Sequence, residues 1–579
     1  MKAFSNKQLI LLIFLLLSTD FGLQVFNINN HTYTPLNNSK DSIYATLAND
    51  VKLINNKIYS ATNYGAYIYS INSKTIENIF KFNPKNKNTI ASNKVNKIHY
   101  SVSKNNLWLT IENKGIDVIN LNNNKVINLN YLNAKKYGLD FINYTYILED
   151  KGNNIWILGD DVIKYDPNKI KFSFLGKDFP DNFNLGFSLV WGTFIDSKGH
   201  IWLGKYNDGG IMKIDRSNNI KKEYLKSKNK NIVWIFAEDS KGNIFAYSLK
   251  PNETNGTIIY KKLRNSENFI SLGFLKDENN EIYNSNSRSV AVSGRARVEY
   301  PFLNNKGELI LSILGEKTMI VLSNSDGEST FQRLKLPKNL ESGIKFSKRK
   351  SKNEMYILNS DGIFLLDENK NIAKPLTTNI SFTSEDYVNQ FEIINDSYAY
   401  LTSYGKGLIV VDFKENTKKY LTQSEGIPST YLYSIFKDND NKLWISSNYG
   451  IIRYNPQTNT FRSFGPLEGA QYYEFNSFSG SKSKTGEIFF GGAKGLNYFF
   501  PDSIKDNAKP PVVIIQKFSK KDTTLFVESP NPLEEFVVNN NENSLSFDFL
   551  AFNYRDPEHN QYAYKMEGYD EDWTYSGSR

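Results

Sequence analysis

Trp191 and Trp234 each stand five residues before an acidic residue, Asp196 and Asp239, and Tyr433 stands at the same distance before Asp438. Aromatic rings with polar neighbours suit sugars. The C–H face of a sugar ring stacks on the aromatic face, and the sugar hydroxyls bond nearby amides and carboxylates. Tyr206, Asn207 and Asp208 supply such neighbours in a loop between two strand-like runs. These residues are the candidate ligand-binding set. The alternative is that Trp191 and Trp234 pack between neighbouring sheets, the default for large aromatic side chains.

Other chemistries find less support. Hydrolysis of a glycosidic bond needs two carboxylates facing it. Asp160, Asp161 and Asp208 are available, and sequence context sets none of them apart. His31, His99, His200 and His559 lie far apart with no metal-ligand spacing, and His200, beside the turn residue Gly199, is read as solvated. Asp438-Asn439-Asp440-Asn441 partly matches a calcium loop but lacks its Gly and distal Glu, so a β-turn is expected. The chain has no Cys, which excludes disulfides, thiolate catalysis and Cys-based metal sites. No phosphate-binding loop, nucleophile elbow or dinucleotide fingerprint occurs. No catalytic residue, metal or cofactor is assigned.

The elements that must position the candidates are read from a repeated phrase. IDSKGHIWLG (Ile195 to Gly204) is followed by GGIMKID (Gly209 to Asp215). EDKGNNIWILG (Glu149 to Gly159) and FKDNDNKLWISSNYGIIRYNP (Phe436 to Pro456) repeat it. The Trp position of the phrase recurs at Tyr59, Trp108, Trp156, Trp202, Phe245, Ile310, Tyr356, Tyr400, Trp444 and Phe489. Successive spacings are 49, 48, 46, 43, 65, 46, 44, 44 and 45. KDENNEIYNS, with Tyr283 at the key position, is a degenerate eleventh copy. Strand-like units at this period, with almost no helical periodicity, predict an all-β chain of β-propeller blades.

The unit reads strand, tight turn, strand, loop, strand. In Asp-x-x-Gly (Asp196 to Gly199, Asp239 to Gly242), Asp bonds the local backbone and Gly reaches positive φ. Ile201-Trp202-Leu203 is apolar on both sides of the pleat, as expected for a sheet covered on both faces. Trp156, Trp202 and Trp444 are therefore expected in blade cores. Gly159 and Gly204 are expected to admit a neighbouring backbone. If the first strand of each unit is innermost, its beginning shares a rim with the loop between the second and third strands. Trp191, Trp234, Tyr433, Tyr206, Asn207 and Asp208 would then gather near a channel mouth.

At the N-terminus, Lys2 and Lys7 precede an apolar run, Leu9 to Leu17, too short to span a bilayer and suited to a signal peptide or signal anchor over 1–23. Cleavage near Gln24 is one option, and the repeats are expected outside the cytoplasm. The formal charge of +9 is spread thinly as Lys, with no basic stripe interleaved with aromatics, so no nucleic-acid contact is expected. Pro510-Pro511 marks a boundary, after which Val512 to Phe518 and Ser544 to Tyr554 read as strands of an Ig-like or fibronectin-like β-sandwich. Too few strands follow Pro510 for a whole sandwich, so the module over 510–579 is read as incomplete and the chain as a fragment.

The phrase D-x-x-G-x-I-W-I/L-G followed by G-I/L-x-x-Y/I-D resembles the two-component regulator propeller repeat. SEGIPSTYLYSIFKD, Ser424 to Asp438, is similar to that family's link between blades. Tyr473 to Ile504 is similar to its last blade, and Leu545 to Trp573 resembles the start of the triple-tyrosine (Y_Y_Y) domain that follows. The resemblance implies the periplasmic part of a bacterial receptor, anchored in the inner membrane through a C-terminal helix absent from this sequence. It implies a cytoplasmic histidine kinase or helix-turn-helix output, a homodimer, and oligosaccharides or other small molecules as ligands. Larger members carry two seven-bladed rings. The ten or eleven units here are read as two smaller rings, 24–250 and 251–505, with their junction in the irregular stretch Lys250 to Tyr300; one large ring is the alternative. A secreted glycan-active enzyme and a protein-binding scaffold are the rival functions.

Overall fold

The computed structural model describes residues 14–577, except 20–21, 28–29, 36–47, 130–143, 177–184, 227–231, 250–256, 275–300, 313–317, 506–511, 527–537, 540–543, 553–559 and several one- or two-residue gaps. It divides into two compact units, Met1–Asn168 with Asn507–Arg579, and Lys169–Asp506.

The Lys169–Asp506 unit is a ring of seven four-stranded antiparallel blades. Blade A contains Phe475–Lys482, Ile488–Gly492 and Gly495–Phe499, and its outer strand is Ser173–Gly176. Blades B to G begin with the inner strands Val190–Ile195, Ile232–Glu238, Phe302–Leu303, Phe346–Arg349, Val388–Ile394 and Leu432–Lys437. Ser173–Gly176 pairs with Gly495–Phe499, so the start of the unit closes its end and the ring keeps no open sheet edge there.

Each junction between blades has its own apolar core. Phe489 and Leu496 of blade A meet Val190 and Leu203 of blade B. Trp202 meets Val233 and Ala246 between B and C. Phe245 and Ile259 meet Leu309 and Leu322 between C and D. Phe302 packs against Met355 and Phe364 between D and E, Tyr356 against Phe391 between E and F, Tyr400 against Ile435 and Tyr454 between F and G, and Trp444 against Phe475 and Phe499 between G and A. A blade is covered on both faces, which is why Ile201, Trp202 and Leu203 are all buried.

The repeated phrase has a physical basis that spacing did not reveal. In three sheets the Trp indole Nε1 donates to Oδ2 of the turn Asp six residues earlier: Trp156, which is half-buried rather than core as expected, to Asp150, Trp202 to Asp196 and Trp444 to Asp438, each at 2.9 Å. The same Asp accepts turn N–H groups through Oδ1, as from Lys198 (3.0 Å) and His200 (2.9 Å). Asp and Trp thus form one device: the turn presents the carboxylate, and the carboxylate satisfies the only polar atom of a core indole. Asp438 has the same geometry, accepting from Asp440 and Lys442, so Asp438 to Asn441 is the expected β-turn. Gly204 is required for close approach, because an ideal Cβ there would overlap the Val233 carbonyl oxygen.

The other unit contains the blades Ala48–Ile54 to Thr75–Phe80 and Val95–Ser101 to Lys125–Leu129, and a three-stranded sheet Tyr146–Glu149, Ile155–Leu158, Val162–Tyr165. Phe14–Thr19, from the apolar N-terminal run, forms a sheet with Gly22–Asn27 and Thr32–Pro35. After Pro511, Val512–Lys520 lies between Thr523–Phe526 and Leu545–Phe552, and Tyr562–Tyr564 pairs with Thr574–Gly577.

All ten register positions fall on the second strand of their sheet; Tyr283 lies outside the described residues. The ring partition differs from expectation. The boundary expected at 250/251 falls inside blade C, whose strands Ile244–Leu249 and Thr257–Lys262 are paired, and the ring begins at Lys169. The long spacing does not mark the end of a ring, because a ring ends where its sheet closes, whatever the sequence spacing. Among the described residues, no helix is long and apolar enough to cross a membrane.

Candidate ligand-binding rim

The inner strands of neighbouring blades lie side by side around the axis of the Lys169–Asp506 unit. Several begin with a β-bulge at the same end: between Val190 and Gly192, Val233 and Ile235, Val388 and Gln390, Leu432 and Ile435, and Phe475 and Gly480. A bulge frees one side chain from the alternation of the strand and re-aims it. The sequence-derived aromatics Trp191, Trp234 and Tyr433 stand at these bulges.

What a bulge residue does depends on its type. Asn389 donates its amide to the Leu432 carbonyl (2.7 Å), and Asn476 to the Val190 carbonyl (2.7 Å). Each clips its blade to the next. Asn49 does the same to Val95 (2.8 Å) in the other unit. Sequence reading passed over these Asn residues, although each stands near the start of a predicted inner strand. In blades B, C and G aromatic residues occupy the bulge, freeing it for another role.

Trp191 and Tyr206 come together. Their rings stack at 4.8 Å between centroids and 29° between planes. Trp191 is half-buried and Tyr206 is 38% exposed, so the pair presents an aromatic surface to solvent. The start of the inner strand and the end of the second strand meet there, as the Tyr206 N–H to Leu189 carbonyl bond (3.4 Å) shows. Asn207 and Asp208 lie outside the described residues.

Trp234 is not part of that surface. It is 3% exposed within the core between blades C and D, with Trp191 and Phe478 packed on the same cluster. Gly192 makes this possible, since even a Cβ there would lie 2.6 Å from the Trp234 carbonyl oxygen. Among the described residues nothing bonds the Trp234 indole N–H or the Tyr247 hydroxyl in the same core. Packing between blades, the alternative weighed for this Trp, describes its surroundings.

Tyr433 lies apart from Trp191, buried between blades G and A. Its ring is 6.3 Å from Tyr404, which in turn meets Tyr431 edge to face at 4.8 Å. Burial, with Tyr404 and Glu474 nearby, pushes the Tyr433 hydroxyl far above the usual tyrosine value, so it stays neutral. Around it, Tyr387, Tyr431 and Tyr449 are exposed on the same rim. They sit just before the inner strands of blades F and G and in the turn between the second and third strands of G.

The carboxylate and imidazole candidates are not gathered there. Asp160, Asp161 and His559 lie outside the described residues, and His31 is exposed on a turn. His99 Nε2 is 3.3 Å from Glu149. His200 is not solvated as expected: Nδ1 lies 2.8 Å from Asp196 and Nε2 3.5 Å from Asp215, because the turn folds the ring back over its own blade. Among the described residues, no group of three or more His, Asp or Glu is arranged to hold a metal. The described rim offers stacking surfaces and neutral hydrogen-bonding groups.

The fold and one of its repeats are shared with known proteins. Residues 426–449, spanning the inner and second strands of blade G, match the two-component regulator propeller family. Histidine kinase P4 of Formosa agariphila is 27% identical over 172 residues, 28% of this chain and 13% of that kinase. The chain thus spans a small part of the curated relative it matches. The extracellular domain of the hybrid two component system BT3049 of B. thetaiotaomicron has a TM-score of 0.59 at 18% identity, over 97% of this chain and 77% of that one. At that identity the likeness concerns the fold. The chain therefore carries the two-component regulator propeller repeat, at residues 426–449, on a β-propeller.

Proposed function

We propose that this chain is the extracytoplasmic ligand-sensing region of a membrane signalling receptor of the two-component type. Its ligand is an oligosaccharide held at the propeller rim. The C-terminal segment is the beginning of a triple-tyrosine module that relays binding, within a homodimer, to a histidine kinase or helix-turn-helix output elsewhere in the protein. Occupancy acts by favouring one arrangement of the receptor over another. The stacked, solvent-facing pair Trp191 and Tyr206 carries the reading of ligand class, and the matched repeat supports the signalling context.

The test is calorimetric titration of the purified chain with a panel of oligosaccharides, followed by chromatography of the recovered sugar. The expected result is saturable binding with the sugar returned intact, weakened at least tenfold in Trp191→Ala and Tyr206→Ala. Shortened sugar in the recovered fraction favours the glycan-active enzyme instead. Binding unchanged in both variants removes the rim from the proposal.

A further inference from the structure

Outside the rim, a cavity of about 530 Å³ lies between blades F and G. Its size falls within the roughly 300–1,000 Å³ typical of small-molecule sites. Its lining runs from the end of the inner strand of blade F, at Ile394, to the outer strand, at Thr417 and Lys419, and includes none of the inner-strand bulge residues. One wall is the sheet of blade F with Tyr398, Tyr400, Asp412 and Lys419; the other is blade G with Tyr454 and Asn441.

The rings form a connected run. Tyr398 and Tyr400 are 6.4 Å apart, and Tyr400 and Tyr454 are 5.9 Å apart. Tyr398, 38% exposed, gives the outer end of the run, while Tyr400 and Tyr454 are buried at its base. Tyr454 is fixed from behind by stacking on Phe461 at 4.4 Å and by donating to Asn459 Oδ1 at 2.9 Å. Asp412 is fixed by the Lys414 and Glu415 N–H groups, at 2.8 and 3.0 Å, and stands opposite Tyr398 across the strand pair. Lys419 carries no ion pair among the described residues.

A corresponding groove exists between blades B and C, and it differs in kind. Its cavity is about 270 Å³, and Lys213, Lys222, Lys262 and Arg264 dominate it, with Glu267 paired to Lys222. A groove between blades is therefore a product of the architecture, whereas the size and the tyrosine run of the F–G groove come from its own residues. Rigid rings flanked by a carboxylate acceptor, an exposed ammonium and side-chain amides are the chemistry that holds sugar rings.

We infer that the groove between blades F and G is a second, peripheral binding site for a short oligosaccharide, stacked along Tyr398 and bonded by Asp412 and Lys419. The inference rests on the glycan reading above for the class of ligand, and not on the rim for its place.

The test is calorimetric titration of the purified chain with two probes, a linear neutral hexose tetrasaccharide and a linear hexuronate tetrasaccharide. It compares wild type, Tyr398→Ala, Lys419→Ala and Trp191→Ala. Melting curves verify that the variants fold; Lys419 is exposed, so its loss leaves the blade intact. The expected result is a binding event for at least one probe that weakens tenfold or more in Tyr398→Ala and in Lys419→Ala and persists in Trp191→Ala. That outcome stands even if rim binding fails. Wild-type binding in both groove variants overturns the inference, as does the absence of binding to either probe. Loss of all binding in Trp191→Ala alone overturns it while leaving the rim reading in place.

Discussion

The indole of Trp234 and the ring of Phe478 meet nearly edge to face, with centroids 5.2 Å apart and planes at 66°, although blade B separates the blades that carry them. Two departures from regular strand geometry allow this. Trp234 stands at a bulge, and Phe478 lies in a stretch where the register jumps from Phe475 to Gly480. Phe478 itself has a φ of 61°. A bulky residue in the left-handed region costs on the order of 1–3 kcal/mol and persists only where its surroundings hold it. The contact with Trp234 is what the backbone gains in return.

This contact sets an order among variants. Phe478→Ala loses the ring and keeps the strain, whereas Phe478→Gly loses the ring and relieves it. Phe478→Gly is expected to be the more stable of the two by about 1 kcal/mol. Trp234→Ala, which empties a core site, is expected to cost about 3–5 kcal/mol. Urea unfolding of the three variants measures the order, and Phe478→Ala at or above Phe478→Gly contradicts the strain argument.

The pairing of Trp202 with Asp196 predicts a coupling. Asp196→Ala strands the buried indole N–H and releases the turn bonds from Lys198 and His200. It should cost about 2–4 kcal/mol, from one unsatisfied donor and lost turn bonds. Trp202→Phe removes the donor as well, so the double variant should be more stable than additivity requires, by about 1 kcal/mol or more. Additive effects in a double-mutant cycle would mean that phrase residues act independently.

Two glycines near the same blade should differ in kind. Gly204→Ala drives a Cβ into the Val233 carbonyl of the next blade, and backbone cannot rotate away. Overpacking of this sort costs about 1–3 kcal/mol or more. Gly199 has a φ of 82° with nothing nearby, so Gly199→Ala costs only the left-handed conformation, about 1–2 kcal/mol. Melting temperatures should therefore fall further for Gly204→Ala, and the reverse order would show that blade B can shift away from blade C.

Asp117, fully buried in the other unit, accepts from the Ala91 N–H and the Asn128 amide, both at 2.6 Å. Burial nevertheless pushes its carboxyl up to about 6. A folded-state value above the unfolded one means that the folded protein binds the proton more tightly. Asp117 therefore costs stability above about pH 6, on the order of 3 kcal/mol, and ceases to do so below about pH 4. Stability measured by urea at a series of pH values, wild type minus Asp117→Asn, should rise as pH falls through this window. A flat difference would mean that Asp117 stays charged without penalty.

Much of the ring was legible because its signals are local. Asp-x-x-Gly and the apolar triplet Ile201-Trp202-Leu203 each need only a few adjacent residues, so strand identity and register followed from spacing. The Trp191–Tyr206 pair was legible for the same reason, since one strand turn brings the two rings together. Trp234 and Trp191 hold the same place in their units, yet one is fully within the core and the other is half-buried at its edge. What separates them is the residues on other blades that cover Trp234, above all Phe478. The F–G groove escaped sequence reading because Tyr398, Asp412 and Tyr454 belong to three strands on two blades.

Local patterns along the chain are enough to specify that it is built from strands, where each repeat begins, and which residue fills the key position of each. Hydrophobic pattern and turn chemistry act within a few residues, and they suffice for that. That the ring runs from Lys169 to Asp506 and closes through Ser173–Gly176 on Gly495–Phe499 rests on long-range pairing. Closure is a pairing between segments at opposite ends of the unit, and which strand completes a sheet depends on the open edge left for it, a property no local pattern carries.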